Sequence, residues 1–361
     1  MTFCDAEKEL KRRELPSLLT MNDGTAVTPE KAEERRLEIL GLLSEYVYGK
    51  MPEKKNIRFE VLKTEEKRCC AGKAVDRTVA ITVLFDEPFT FTIRLHLPKR
   101  VKKPPFVIFP NFRKNVPDEY IPAEELIDRG IGFASFCYKE DISCDKDDFT
   151  DGMASRFYPD GKRKNPDDCG KIVMWAYACM RTLDYVLENE CVDETHIGVA
   201  GHSRLGKTAL LTATFDTRFT HTYSNDSGCS GASLSRDNKG ETIADITRVF
   251  PHWFCPRYAE FADRAQALPL DQHFLLAAVA PRHVMVGSAF EDKWADPDSE
   301  YLSCVAAGEF WKLYGKEAFP KQDCPETDGV VTGESLAYHR RTGVHYMSRV
   351  DWNRFLDFFL K

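Results

Sequence analysis

The feature that most narrows what this chain can fold into is a change of rhythm at Pro104. Downstream of it, short apolar runs alternate with stretches of helical spacing. Strands are predicted at Phe106–Phe109, Ile131–Phe136, His196–Ala200, His221–Ser224, His283–Ser288 and Ser335–His339. Helices are predicted at Ala123–Asp128, Ile172–Leu187, Arg204–Thr214, Glu300–Tyr314 and Asp351–Leu360. Near-continuous apolar runs between helices are what a parallel sheet, buried on both faces, requires. Upstream the texture differs. Thr28–Tyr48 reads as a helix, with Thr28 as cap, Pro29 in the first turn, and Ile39, Leu42, Leu43, Tyr46 and Val47 on one face. Strand-like runs follow at Ile57-Phe59-Val61, Val79–Phe85 and Phe91-Ile93-Leu95-Leu97, the last alternating as a half-exposed antiparallel strand does. The expectation is an α/β fold: a three-layer sandwich with a mostly parallel central sheet. A helical and antiparallel N-terminal extension (residues 1–100) leads into a core (residues 101–361), all in one domain.

Composition excludes several classes. With 43% hydrophobic and 30% charged residues, the chain is an ordinary globular protein. A net charge of −7 argues against a nucleic-acid surface, which would need a basic face. No apolar stretch approaches the ~18 residues of a membrane span. Met1 to Thr20 is rich in Lys, Arg and Glu and has no apolar core of secretory-signal length. The sequence as written therefore reads as cytoplasmic, or as secreted or periplasmic if a signal has been removed. Its twelve cysteines include one adjacent pair, Cys69-Cys70, and no C-x-x-C, so free and mostly buried thiols are expected rather than a zinc site. The acidic run from Asp141 to Asp151 reads as a solvated loop, with calcium binding as the alternative.

Thr195-His-Ile-Gly-Val-Ala-Gly-His-Ser-Arg-Leu-Gly-Lys-Thr-Ala-Leu reads as strand, sharp turn and helix. Such a turn lifts a serine hydroxyl above the sheet and aims the following backbone N–H at a developing oxyanion. Small residues are needed there, and Gly201 and Gly206 supply them. The usual pattern, G-x-S-x-G, is offset here, because Leu205 holds the last position. A rival reading exists: Gly201 to Thr208 also satisfies G-x-x-x-x-G-K-[ST], a phosphate-cradling loop, although its interior is bulky and several strand–helix units precede it. A turn without chemistry is the third reading.

A nucleophilic Ser203 needs a base and a carboxylate that orients it. His345 lies in Thr342-Gly-Val-His-Tyr, between the last predicted strand and the last helix, where a base belongs. His339 competes from within the strand. His221 and His283 read as structural. For the acid, Asp292 follows the strand His283–Ser288 and Asp226 follows His221–Ser224, and either could orient His345. Each is also readable as a turn carboxylate.

At these residues the sequence resembles the glucuronoyl esterases, carbohydrate esterase family fifteen, especially the bacterial members. The resemblance rests on Gly201-His-Ser-Arg-Leu-Gly-Lys207, Asn225-Asp-Ser-Gly-Cys-Ser-Gly231, Gly240-Glu-Thr, Phe250-Pro-His-Trp-Phe-Cys255, Leu268-Pro-Leu-Asp-Gln-His273, Glu291-Asp-Lys-Trp-Ala-Asp-Pro297 and Gly343-Val-His345. It implies an α/β-hydrolase fold and hydrolysis of esters of 4-O-methyl-glucuronic acid on xylan-derived saccharides, with no metal or organic cofactor. It further implies that Arg204 stabilises the oxyanion, that Lys207 holds sugar hydroxyls, and that Glu241 and Trp294 contact the glucuronate. The offset glycine belongs to the same pattern, and the family acid stands at the position of Asp226 or of Asp292. A packing role for Trp294 competes with a sugar platform, and Arg204 also reads as a helix-start residue pairing with a carboxylate. His202 and Cys229 read as packing residues. A sugar acetyl esterase, or a carbohydrate-binding relative without turnover, remains the alternative function.

Overall fold

The computed structural model describes residues 5–66, 69–317, 319–320 and 323–361. Ten strands form one sheet: β1 (Ile57–Glu65), β2 (Ala74–Val83), β3 (Phe89–Pro98), β4 (Phe106–Asn111), β5 (Gly132–Cys137), β6 (Ile197–His202), β7 (His221–Asn225), β8 (His283–Ala289), β9 (Val330–Thr332) and β10 (Leu336–Arg341). Their spatial order is β1-β2-β3-β5-β4-β6-β7-β8-β10-β9. From β5 through β10 every pairing is parallel; β1, β2 and β3 extend one edge antiparallel, and β9 closes the other. The parallel strands β4 to β7 are buried at every position, as the near-continuous apolar runs require.

Helix Lys171–Asn189 and helix Arg204–Phe215 pack on one face, through Ile172, Trp175 and Leu210 among others. Helix Arg349–Phe359 covers the other through Trp352, Phe355 and Phe359. Helix Ala123–Asp128 has its expected bounds. The helix expected at Glu300–Tyr314 begins instead at Pro297, because Asp296 caps it through the Ser299 N–H. The one expected at Thr28–Tyr48 is a 3₁₀ turn, an α-helix over Ala32–Leu43 and a π-turn, and the Thr28 side chain makes no cap bond. The final helix starts at Arg349, where Ser348 and Asp351 form a capping box.

Eight of the twelve cysteines, among them Cys137, Cys179 and Cys304, are free thiols in the described residues, and most of these eight are buried. Cys4 lies outside those residues. Among the described residues no helix is long and apolar enough to cross a membrane. His221 and His283 begin β7 and β8, where their rings stack at 4.4 Å. That end of the sheet is opposite the turn that follows β6, so both are structural.

Candidate active site

The turn between β6 and helix Arg204–Phe215 is built around one strained residue. Ser203 sits at φ 56°, ψ −126°, a region that L-residues rarely occupy. Hydrogen bonds hold it there: its N–H donates to the Asn225 carbonyl at 2.9 Å, and its carbonyl accepts from Gly206 N–H at 2.9 Å. The turn closes so tightly that a Cβ on Gly201 would stand 2.0 Å from the Leu205 oxygen. Glycine there is a steric necessity, and the displaced Gly206 packs against Ser227 and Ser224 instead. The first N–H groups of the helix have no intrahelical partner and carry its positive end.

Ser203 opens into a cavity of about 350 Å³ that Arg204, Lys207, Asp226, Glu241, Asp292, Trp294 and His345 also line. Every site residue expected from the sequence is thus brought to one place. His345 Nδ1 lies 2.5 Å from Asp292 Oδ2; the imidazole is 46% exposed, whereas the carboxylate behind it is 6% exposed. This leaves the far edge of the ring open to substrate and water. His202 sits under it, with ring centroids 4.5 Å apart, and hydrogen-bonds Asn225 Oδ1 at 2.7 Å. Burial, then the neighbouring His345, pushes the His202 pKa down to about 3, so a neutral ring supports the base. His339 is no competitor. It is buried against the Tyr223 hydroxyl at 2.8 Å, outside the cavity lining, and burial pushes its pKa down to about 4.

Asp226 comes close but is differently employed. One oxygen of Asp226, one of Asp292 and a nitrogen of His345 lie within 4.8 Å of one another. The Asp226 oxygens, however, accept from Ala289 N–H at 2.5 Å and from Arg341 Nη2 at 3.4 Å. Burial first, then the charges of Glu300, Asp351 and Asp292, raise its carboxyl well above the usual range, against the pull of Arg341. Asp292 therefore has the geometry of a base-orienting carboxylate, and Asp226 that of a buried buttress.

Part of the cavity wall is aromatic and cationic. The Arg204 guanidinium lies 4.6 Å from the Trp253 ring centroid and 5.3 Å from that of Phe250. Lys207 is buried and donates to the Ser227 carbonyl; burial lowers its pKa, while Glu241 opposes the shift. Burial raises the Glu241 carboxyl, with Lys207 and a Trp294 hydrogen bond pulling the other way. Trp294 is 58% exposed at the rim, so the buried packing role is not its environment.

The matches to known proteins agree with this geometry. The profile described as "Glucuronyl esterase, fungi" matches residues 85–315. Carbohydrate esterase MZ0003, from an unknown prokaryotic organism, is 33% identical over 98% of this chain and 90% of its own. The chain belongs to the glucuronoyl esterase family. Two solved structures share its backbone. A promiscuous family-fifteen esterase from a marine bacterial metagenome is 32% identical at a TM-score of 0.86, over 96% of both chains. The glucuronoyl esterase of Solibacter usitatus is 30% identical at 0.85, over 96% of this chain and 97% of that one. The fold is the α/β-hydrolase fold, and the family is one of carboxylic ester hydrolases, so the phosphate-loop reading falls.

Three residues of this glucuronoyl esterase family member escaped the sequence reading. Asp145 belongs to the acidic run read as a solvated loop, yet it is turned inward and pairs with Arg204. The carboxylate expected beside Arg204 is thus present, without removing Arg204 from the cavity. The run has an internal cation of its own. The fully buried Lys171 ammonium takes the Ser143 hydroxyl at 2.9 Å, the Cys144 and Asp148 carbonyls at 2.9 and 2.5 Å, and Asp151 at 3.3 Å. Such oxygens would suit calcium, but a lysine occupies their centre. The third is Arg341, the last residue of β10, two positions beyond His339 on the same strand. Its guanidinium binds the Val344 and Tyr346 carbonyls on either side of His345 and pairs with Asp351 at 2.6 Å. Arg341 lies just past the strand expected at Ser335–His339, where an arginine reads as an exposed loop residue.

Proposed function

We propose that this protein cleaves esters of glucuronic acid, 4-O-methylated or not, on xylan-derived saccharides, through a covalent acyl-enzyme on Ser203. His345 takes the Ser203 proton as the hydroxyl attacks the ester carbonyl, and Asp292 stabilises the imidazolium that forms. The tetrahedral oxyanion is met by Arg204 and by the helix N-terminus, where one donor is typically worth ~10²–10³ in kcat. His345 then returns the proton to the departing alcohol, and water releases the acid by the same steps reversed. Lys207 and Glu241 hold sugar hydroxyls, with Trp294 at the rim as the face on which the ring lies. In this reading residues 1–361 act as one domain, since β1–β3 continue the sheet that carries the site.

The observation that carries the substrate reading is the composition of the cavity. A buried lysine, a half-buried carboxylate and an exposed tryptophan surround the serine, and two aromatic rings back its arginine. A small acyl group such as acetate would leave Lys207, Glu241 and Trp294 with nothing to bind. The expected result is a kcat/KM for benzyl glucuronate at least about tenfold above that for acetylated xylose, as one added hydrogen-bonded polar contact alone provides. Lys207→Met should erase that preference while sparing 4-nitrophenyl acetate hydrolysis. A higher kcat/KM on acetylated xylose than on the glucuronate ester would replace this reading with a sugar acetyl esterase.

A further inference from the structure

Arg204 is useful to an oxyanion only if its guanidinium is held still. An arginine side chain carries about 2 kcal/mol of rotamer freedom, and free rotation would spread its charge over several positions. Two features restrict it here. The guanidinium lies against the stacked pair of Trp253 and Phe250, and Asp145 holds its Nη1, to which the Tyr138 hydroxyl lies at 3.5 Å.

Asp145 is itself unusually well fixed. Besides Arg204 it accepts from His252 Nε2 at 3.0 Å, Trp253 Nε1 at 2.7 Å and the Tyr138 hydroxyl at 2.7 Å. His252, Trp253 and Tyr138 are all at least nine-tenths buried. Burial alone would raise the carboxyl of Asp145; the His252 bond, the Arg204 charge and the bonds from Trp253 and Tyr138 outweigh it and hold the group well below the usual range. It is therefore a carboxylate whenever the enzyme is folded near neutrality. Its loop is fixed from behind by Lys171, whose four oxygen contacts span Ser143 to Asp151. The loop sequence thus has a purpose: an ammonium on one helix shapes the loop, and the loop presents one carboxylate to the arginine beside the nucleophile.

We propose that Asp145 is a positioning residue that aligns Arg204 for oxyanion stabilisation, acting on catalysis only through that guanidinium. The proposal rests on the role given to Arg204 above. It separates Asp145 from the groups that touch substrate, since Asp145 does not line the cavity. It also explains why Trp253, a cavity wall, spends its indole N–H on a carboxylate and not on the ligand.

A double-mutant cycle tests this with both benzyl glucuronate and 4-nitrophenyl acetate. Asp145→Asn keeps the volume and an acceptor while removing the charge. It should lower kcat about 10- to 100-fold, part of the ~10²–10³ of one oxyanion donor, with KM changed less than about threefold. In an Arg204→Ala background the same change should cost less than about twofold. Tyr138→Phe removes a single donor to Asp145 and serves if Asp145→Asn does not fold; its smaller loss should likewise vanish without Arg204. Equal losses in both backgrounds, or no loss in the wild type, overturn the proposal. So does an Arg204→Ala enzyme with undiminished kcat. Silence on the glucuronate ester with coupling intact on 4-nitrophenyl acetate overturns the substrate reading alone.

Discussion

Asp292→Asn is expected to lower kcat by about 10⁴, the cost of the corresponding change in a serine protease triad, while Asp226→Asn costs about tenfold or less. The asymmetry follows from how each carboxylate is used. Asp292 gives an oxygen to His345 Nδ1 at 2.5 Å, so the amide would favour the wrong tautomer and withdraw the charge that stabilises the imidazolium. Asp226 already has its oxygens committed to the Ala289 N–H and Arg341, so neither is held for the base. An amide at that position still accepts from Ala289. Steady-state kinetics on the two variants decides the matter. A larger loss for Asp226→Asn would make it the principal acid and Asp292 the buttress.

Arg341→Met should cost about 3–5 kcal/mol of unfolding free energy, the usual penalty for removing one partner of a buried ion pair. Arg341 is 5% exposed and faces two buried carboxylates, Asp226 and Asp351. Without it Asp351, which also accepts from Asn225 and caps the last helix through Ser348, would be a buried charge lacking its cation. The Val344 and Tyr346 carbonyls would lose their donor too, releasing the loop that carries His345. Chemical denaturation measures the first effect, and kcat at a temperature where the variant is still folded measures the second. A variant within 1 kcal/mol of wild type would mean that the carboxylates are neutral or solvated and that the clamp is unnecessary.

Buried parallel strands announce themselves as short apolar runs because both faces must be dry. For that reason β4, β5, β6, β7 and β8 were legible to within a residue or two. The extent of β2 was not. It runs back to Ala74 because its whole length pairs with β3, and no local pattern records a partner strand. The edge strand Val330–Thr332 is too short to show periodicity. Within the site, the residues legible in advance sit at the ends of strands beside turn signals, as Ser203, Asp226 and Asp292 do, or in a Gly-containing loop before a helix, as His345 does. Asp145, Lys171 and Arg341 lacked such signals. Asp145 meets His252 and Trp253 more than 100 positions away, and a carboxylate in an acidic run looks solvated until the fold folds it inward. Lysine at a helix start gives no hint of burial, and Lys171 is buried only because the loop from Ser143 to Asp151 closes over it.

The role of Ser203 as nucleophile is decided by comparing hydrolysis of benzyl glucuronate by the wild type and by Ser203→Ala, with substrate binding measured in parallel by calorimetry. The expected result is turnover in the wild type and a loss of about 10⁵–10⁶ in kcat in the variant, comparable to nucleophile removal in a serine protease. Binding should survive the change, since Lys207, Glu241 and Trp294 are untouched. A variant that still hydrolyses the ester within about tenfold of wild type would show that Ser203 is not the nucleophile and that no acyl-enzyme forms on it.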